Sequence, residues 1–271
     1  MNSPATPYKL PANRGRVAPA VGVGAFVALL TALGAVLILV RPQPIGGTPV
    51  AAPAPATTSA APAPTTSAAA TTTAPPAPKP GVEPEALPAL LPDGVELSSL
   101  TGVPNFTQAG EGASPYRGGA VDPGECAGIN DAAWQQTYTG SRYVGIYSRL
   151  FLDGSDQTFQ NSVLAAVADF TTSADARHMV DMQAQRWNAC ANRSYTVTFD
   201  DGSTSRMSVG EPYQAGTSLV VTLRGDDVAG WTCEHSLRAA DTVVIDVMTC
   251  SFQSISSVRI ADRIASRITP A

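Results

Sequence analysis

The fold of this chain is decided by two neighbouring segments, GWTCEHSL at residues 230–237 and TVVIDVMTC at residues 242–250. Side chains in the second segment alternate between two sets, as they do along a strand. A tight turn centred on Asp241 and Thr242 pairs the two segments so that Cys233 falls opposite Cys250. Directly opposed residues of an antiparallel pair have Cα atoms about 4.5–5.5 Å apart, so we predict a disulfide between these two cysteines.

The surrounding sequence, from residue 93 to residue 271, suits one compact domain. Apolar periodicity and capping residues predict helices at 94–101, 127–136, 173–190 and 256–268. Alternation and turn residues predict further strands at 143–152, 162–170, 195–199, 204–209 and 217–223. The segment 162–170 is almost continuously apolar, which indicates a central strand covered on both faces. This order of elements predicts an α+β domain with a mainly antiparallel sheet and packed helices.

Residues 17–40 are apolar without a single charge, and an arginine stands on each side of them. A helix of this length crosses a hydrocarbon core of about 30 Å with some tilt. Three basic residues and no acidic residue precede it, whereas Arg41 is the only charge beyond it before Lys79. We therefore predict a single-pass plasma-membrane anchor, with residues 1–16 cytoplasmic and the carboxyl-terminal domain extracytoplasmic.

A cleaved signal peptide is the alternative interpretation of residues 17–40. Its apolar region would be shorter, and a small-residue cleavage site would follow at once. Here RPQP follows at residues 41–44, so an uncleaved anchor is the preferred prediction.

Residues 41–92 consist almost wholly of Pro, Ala, Thr and Ser. They have too few large apolar side chains to offset the entropy of folding, so we predict a disordered linker. Its proline density favours an extended, semi-rigid chain that holds the outer domain away from the lipid surface.

Small residues at Gly24, Ala28 and Ala32 share one stripe of the predicted membrane helix. Such a stripe lets a second helix approach closely, which would suit a dimer or a partner membrane protein. The ordinary frequency of Gly and Ala in membrane helices explains the stripe without a partner, and we prefer that explanation.

The four cysteines are predicted to be structural. Once Cys233 is paired with Cys250, Cys126 remains for Cys190. An even set of cysteines outside the cytoplasm favours disulfides, and no CxxC pair with zinc-ligand spacing occurs, so we expect no metal site. In the chain-entropy model the longer loop stabilises the domain by about 4 kcal/mol and the shorter by about 3 kcal/mol.

The two histidines do not form a recognised catalytic arrangement. His178 falls on the polar side of a predicted helix and His235 on a strand, and neither has the short spacing of known catalytic or zinc motifs. We predict that both are surface or rim residues. No catalytic residue, cofactor or metal is therefore expected, and no pattern identifies the ligand-binding residues.

Charge also limits the partners. Arg259, Arg263 and Arg267 share one face of the closing helix and suit either anionic lipid or simple exposure to solvent. Because the formal net charge of the chain is −5, a nucleic-acid partner is not expected.

Four segments resemble the PknH-like extracellular sensor domain family: DPGEC at 122–126, QRWNAC at 185–190, GWTCEH at 230–235 and VVIDVMTC at 243–250. The resemblance covers about residues 97–268. It implies an α+β domain with two disulfides, paired as above, around a cleft for an unidentified envelope ligand. It supplies no catalytic residue. In some transmembrane serine/threonine kinases a domain of this family forms the carboxyl-terminal part. In this chain the sixteen residues before the predicted span are too few to form a kinase domain.

Three functional hypotheses follow from the sequence. The first is a membrane-anchored extracytoplasmic sensor or ligand-binding protein of the bacterial cell envelope, without its own kinase domain. The second is an envelope enzyme, such as a hydrolase, with His178 or His235 as the base. The third is a structural partner of another membrane protein.

Overall fold

The computed structural model describes residues 81–155 and 158–268. The predicted cytoplasmic segment, the membrane helix at 17–40 and most of the predicted linker lie outside the described residues. Within those two described ranges, no helix combines the length and the apolar character needed to cross a bilayer.

A single antiparallel sheet organises the described part of the chain. Its strands are β1 (Thr107–Gly112), β2 (Ala120–Asp122), β3 (Tyr143–Leu152), β4 (Asn161–Phe170), β5 (Ser194–Thr198), β6 (Thr204–Val209), β7 (Tyr213–Ala215), β8 (Ser218–Gly225), β9 (Thr232–Ala240) and β10 (Val243–Ser251). The order across the sheet is β1-β3-β4-β10-β9-β8-β6-β5-β2, and the short β7 pairs with β8. Consecutive hairpins dominate this order, as the sequence predicted.

Helices cover both faces of the sheet. The α-helices are α1 (Leu87–Leu90), α2 (Gly94–Thr101), α3 (Gln135–Tyr138), α4 (Ser173–Cys190) and α5 (Ser257–Ala265). Two 3-10 helices, Pro84–Ala86 and Gly124–Ile129, accompany them. One apolar core lies on the face that carries α4, and the other lies under α1, α2 and α5.

Strand β4 is the centre of this three-layer arrangement. Every residue from Asn161 to Phe170 is buried. Leu164, Ala166 and Ala168 face the α4 core, whereas Val163 and Val167 face the other core. The prediction of a central strand covered on both faces is confirmed.

Both predicted disulfides are present. In the β9–β10 ladder Cys233 stands opposite Cys250, and their Cα atoms are 4.0 Å apart. The bond between Cys126 and Cys190 ties the 3-10 helix Gly124–Ile129 to the last residue of α4, with Cα atoms 5.6 Å apart.

Helix α4 begins where its sequence indicates. The hydroxyl of Thr172 accepts a hydrogen bond from the backbone N–H of Asp175 at 3.1 Å, which caps the amino terminus. The fully buried residues of α4 recur at spacings of three and four and are Ala176, Met179, Gln183, Trp187 and Cys190. Residues at these spacings lie on one side of a helix, and in α4 this side packs against the sheet.

The predicted helix at 127–136 is wrong. The chain forms the 3-10 helix Gly124–Ile129 there, then breaks and begins α3 only at Gln135. Between them Ala133 has a φ of 53°, a left-handed conformation that no α-helix contains. This break directs the backbone N–H of Ala133 to the side chain of Asp246, with an N–O distance of 3.0 Å.

The folded domain begins before the boundary that composition predicts. Leu87, Leu90 and Leu91 precede residue 93 and are buried under the sheet. These leucines stand in a proline-rich run, so the average composition of the linker conceals them. At the other end, α5 ends at Ala265, within the predicted range.

Two of the three arginines that the sequence placed on the closing helix have partners within the fold. Arg263 and Arg267 both form ion pairs with Glu96 on α2. Arg259 is exposed. These ion pairs link the end of the domain to α2, so Arg263 and Arg267 have a structural role that needs no lipid surface.

Candidate functional site

A small polar pocket lies at one end of the sheet, beside the amino terminus of α5. Its cavity volume is about 180 Å³. The strand residues that line it are Thr222, Thr232, Cys233, Glu234, Thr249 and Ser251, and the loop at residues 253–256 forms the opposite wall. Hydroxyl groups dominate this lining, and Glu234 supplies its one carboxyl group.

Strand register explains why these polar side chains meet. Glu234 stands opposite Thr222 on β8 and opposite Thr249 on β10, and Thr232 stands opposite Ser251. Directly opposed residues of an antiparallel pair project from the same face of the sheet. Elsewhere on β10 that face carries only aliphatic side chains, which belong to the core under α5. The pocket therefore forms where this face changes from aliphatic to hydroxylic.

Hydrogen bonds fix the loop wall of the pocket. Oε1 of Glu234 accepts from the backbone N–H of Ser257 at 2.7 Å and from its hydroxyl at 2.8 Å. A carboxylate at the first residue of a helix also interacts favourably with the helix dipole. The hydroxyl of Thr249 donates to the carbonyl oxygen of Ile255 at 2.9 Å. Among the described residues, no hydrogen bond reaches Oε2 of Glu234.

Tyr213 and Arg224 lie on the pocket's side of the sheet. Tyr213 on β7 stands opposite Val220, next to Thr222 on the same face, and 48% of its surface is exposed. Burial of part of its surface raises the pKa of Tyr213, and the negative charge of Glu234 raises it further. Arg224 stands opposite Thr232 and is exposed. An aromatic ring and a guanidinium group thus accompany the hydroxyl-lined cavity.

A second polar cluster lies inside the α4 core. His235 and Asp246 have no exposed side-chain surface, and Nε2 of His235 is 2.7 Å from Oδ1 of Asp246. Nδ1 of His235 is 3.1 Å from the carbonyl oxygen of Ile129, which can only accept. Oδ2 of Asp246 accepts from the hydroxyl of Tyr138 at 2.9 Å and from the backbone N–H of Ala133. These contacts define a buried imidazolium–carboxylate pair.

The charge of Asp246 sets the protonation of this cluster. Burial alone lowers the pKa of His235, but the Asp246 carboxylate outweighs burial, so the pKa is raised above its ordinary value. Trp187 lies against the charged ring with ring centroids 4.6 Å apart, a distance that suits a cation–π contact. The Trp187 N–H donates to the carbonyl oxygen of Gly128 at 3.1 Å.

Asp131 adds a third titratable side chain to the cluster. It is 4% exposed, and burial raises its pKa to about 7. A hydrogen bond with Tyr116 and the charge of His235 oppose that rise. Asp246 reinforces it because two neighbouring carboxylates disfavour each other's charged form.

The cluster connects the irregular segment around residues 128–138 to the centre of the sheet. Four backbone groups of that segment bond to side chains of β9, β10 and α4. Because His235 and Asp246 have no exposed surface, a dissolved substrate has no access to them. The geometry therefore indicates a structural role, in which the cluster holds the irregular segment against the sheet.

The structure separates the two histidines of the sequence analysis. His178 is exposed on α4, in agreement with the prediction for it. The prediction that His235 lies on the surface or rim is wrong, because α4 and the segment before α3 cover the strand that carries it. In the described part of the chain, no group of three or more His, Cys, Asp or Glu side chains is placed to hold a metal ion.

Sequence reasoning missed the polar lining of the pocket and the three carboxyl groups of the two sites, which belong to Glu234, Asp131 and Asp246. One signal was available, because Asp246 interrupts an otherwise apolar stretch of β10, and a charge at such a position usually has a buried partner. Glu234 and Asp131 give no local signal, since their surroundings come from segments distant in the sequence.

Comparison with known proteins identifies one family. The model of the PknH-like extracellular domain matches residues 82–267. Two similar curated proteins are serine/threonine-protein kinases PknH, one from Mycobacterium bovis and one from Mycobacterium tuberculosis strain CDC 1551. Each is 27% identical over 193 residues, which is 70% of this chain. The chain spans only 31% and 30% of the length of these two relatives.

A solved structure shares this fold. The crystal structure of the extracellular domain of PknH from Mycobacterium tuberculosis superimposes with a TM-score of 0.66 at 25% sequence identity. The match covers 69% of this chain and 97% of that one. The similarity therefore concerns an extracellular domain and not a catalytic kinase domain.

Proposed function

Because this chain belongs to the PknH-like extracellular domain family, we propose that residues 81–268 act as an extracytoplasmic sensor domain that binds a small ligand of the cell envelope. The observation that carries the proposal is the polar pocket beside α5. The hydroxyl group of Thr222 and the Oε2 atom of Glu234 are available to a ligand, whereas the buried His235–Asp246 pair is not. The domain is thus a binding module whose buried polar cluster stabilises it.

The test is equilibrium binding of native envelope fractions to the purified full chain. Saturable binding of at least one fraction is the expected result. The control is the same chain after reduction and unfolding, which should bind nothing in a saturable way. If no envelope fraction binds saturably, ligand binding is not the function of this domain.

We propose that residues 17–40 form a helix that anchors the protein in the plasma membrane and that the linker displays the domain outside. The uncharged apolar length and the basic residues before it support this topology. Protease added to intact, wall-stripped cells should release the domain by cutting the linker. Full protection of the chain in that assay would contradict the proposed orientation.

We further propose that a ligand signal passes to a partner membrane protein, which is the third hypothesis of the sequence analysis. The stripe of Gly24, Ala28 and Ala32 permits close contact with such a partner in the membrane, but it also has an explanation that needs no partner. Crosslinking from that stripe should recover a defined partner or a second copy of this chain. Recovery of neither would contradict this part of the proposal.

A further inference from the structure

We propose that the pocket beside α5 binds a small polyhydroxylated molecule of the sugar class, with Glu234 as the main hydrogen-bond acceptor. This inference rests on the ligand-binding function proposed above and specifies its ligand class. It is carried by the donors, acceptors, charges and size of the pocket.

The strand wall matches the hydrogen-bonding pattern of a polyol. Thr222 presents a hydroxyl group that both donates and accepts, as the hydroxyl groups of a sugar do. The hydroxyl groups of Thr232 and Ser251 donate to the carbonyl oxygens of Ser251 and Gln253, so they offer a ligand their acceptor lone pairs. Ser257 occupies Oε1 of Glu234, so Oε2 is the atom left for a ligand. A carboxylate can only accept, and hydrogen bonds from hydroxyl donors to a carboxylate are among the stronger ones. A ligand with several O–H donors can therefore form hydrogen bonds with the acceptors of this wall.

The carboxylate and the polar lining of the pocket disfavour two other ligand classes, anionic and apolar molecules. Glu234 carries the carboxylate inside the lining and Arg224 carries the cation on the same sheet face. A phosphate or carboxylate group would bring its negative charge against Glu234 in a partly desolvated site. An apolar ligand would leave the Thr222 hydroxyl and Oε2 of Glu234 without hydrogen-bond partners, which costs free energy. A neutral polyol meets neither difficulty.

The dimensions of the site suit a single ring. The cavity of about 180 Å³ is smaller than the roughly 300–1,000 Å³ typical of sites for drug-sized ligands. Tyr213 offers an exposed aromatic surface on the same sheet face. Tyrosine combines an apolar ring with a polar tip and therefore suits the apolar C–H face of a sugar ring.

The test measures sugar binding to the full chain, purified in a detergent that has no sugar headgroup. Glucose, N-acetylglucosamine and inositol are titrated, and ligand-observed NMR gives the dissociation constants. We expect saturable binding of at least one of the three and at least about tenfold weaker binding to Glu234→Gln, a factor worth about 1.4 kcal/mol. The amide keeps an oxygen for Ser257 but turns a donor toward the ligand, so the hydrogen bond to the first residue of α5 remains.

Two further variants make the result specific to the pocket. Ser254→Trp places a large side chain on the exposed loop wall and should abolish binding without changing a charge. Glu85→Gln makes the same chemical change as the Glu234 variant at an exposed site before α1 and should bind sugars like the unaltered chain. The melting temperature of each variant verifies that the domain is folded.

Equal sugar affinity of the unaltered chain and the Glu234 and Ser254 variants would overturn the assignment to this pocket. If no sugar binds but an envelope fraction does, and the Ser254 variant loses that fraction, the ligand class is wrong while the sensor function stands. If neither sugars nor envelope fractions bind, the sensor function fails as well.

Discussion

Asp131 is the residue through which pH should act most directly on the stability of this domain. Its carboxyl group is buried beside Tyr116, His235, Asp246 and Tyr195, and burial raises its pKa to about 7 from an ordinary value of 3.8. The folded domain therefore keeps a proton that the unfolded chain releases. Stability from this proton is fully present below about pH 4 and is lost as the pH rises through about 7.

The size of the effect follows from the linkage between protonation and folding. One pKa unit corresponds to about 1.4 kcal/mol, so the whole difference for Asp131 amounts to about 4 kcal/mol. About 2 kcal/mol of this should be lost between pH 5 and pH 6.5. His235, whose pKa is also raised, loses its contribution in the same direction, but mainly above pH 6.5. Glu96 and Glu111 have lowered pKa values and affect stability at more acidic pH.

The assay is urea unfolding of residues 81–271 with both disulfides intact, followed by tryptophan fluorescence. The free energy of unfolding of the unaltered domain should fall by about 2 kcal/mol more between pH 5 and pH 6.5 than that of Asp131→Asn. Asn has the same shape as Asp but does not titrate. Asp181→Asn, at an exposed site on α4, is the matched control and should follow the unaltered domain. Equal pH dependence in the Asp131 variant and the unaltered domain would refute the reasoning.

Three more changes test the interactions described above. Asp246→Asn leaves His235 without its counter-ion in the core. In the same urea assay this variant should lower the free energy of unfolding by about 3–5 kcal/mol. A loss below about 1 kcal/mol would contradict a buried ion pair. Replacing Cys126 and Cys190 together by alanine opens the longer disulfide loop and should cost about 4 kcal/mol under non-reducing conditions, more than the loss of the shorter loop. Glu96→Gln removes the ion pairs of Glu96 with Arg263 and Arg267. The free energy of unfolding should fall by about 1 kcal/mol at low salt and by less at high salt, because salt screens exposed charges. A loss that does not depend on salt would indicate lost packing instead.

Local patterns predicted the secondary structure that depends on neighbouring residues. The β9–β10 hairpin is one example, because a tight turn fixes the register and the register alone brings Cys233 opposite Cys250. Helix α4 is another, because its cap at Thr172 and its apolar stripe lie within a few turns of each other. The α+β class followed from the order of such elements.

Patterns of the same kind failed where distant segments decide the conformation. Residues 127–136 have the composition of a helix, but the chain breaks at Ala133, where its backbone N–H bonds to Asp246. The alternation along β9 places His235 and Glu234 on opposite faces without revealing what covers either face. Only the packed structure shows that α4 buries the first and that α5 borders the second.

The sequence by itself determined seven of the ten strands of the described residues, helices α2, α4 and α5, the disulfide partners and the family resemblance, because each depends on spacing along the chain. It gave no sign of the strands β1, β2 and β7. The tertiary structure alone decided that His235 is a buried charge and that Glu234 lines a pocket. The physical reason is that burial and hydrogen-bond partners come from segments far apart in sequence. Ile129 and His235 are 106 residues apart and yet share a hydrogen bond.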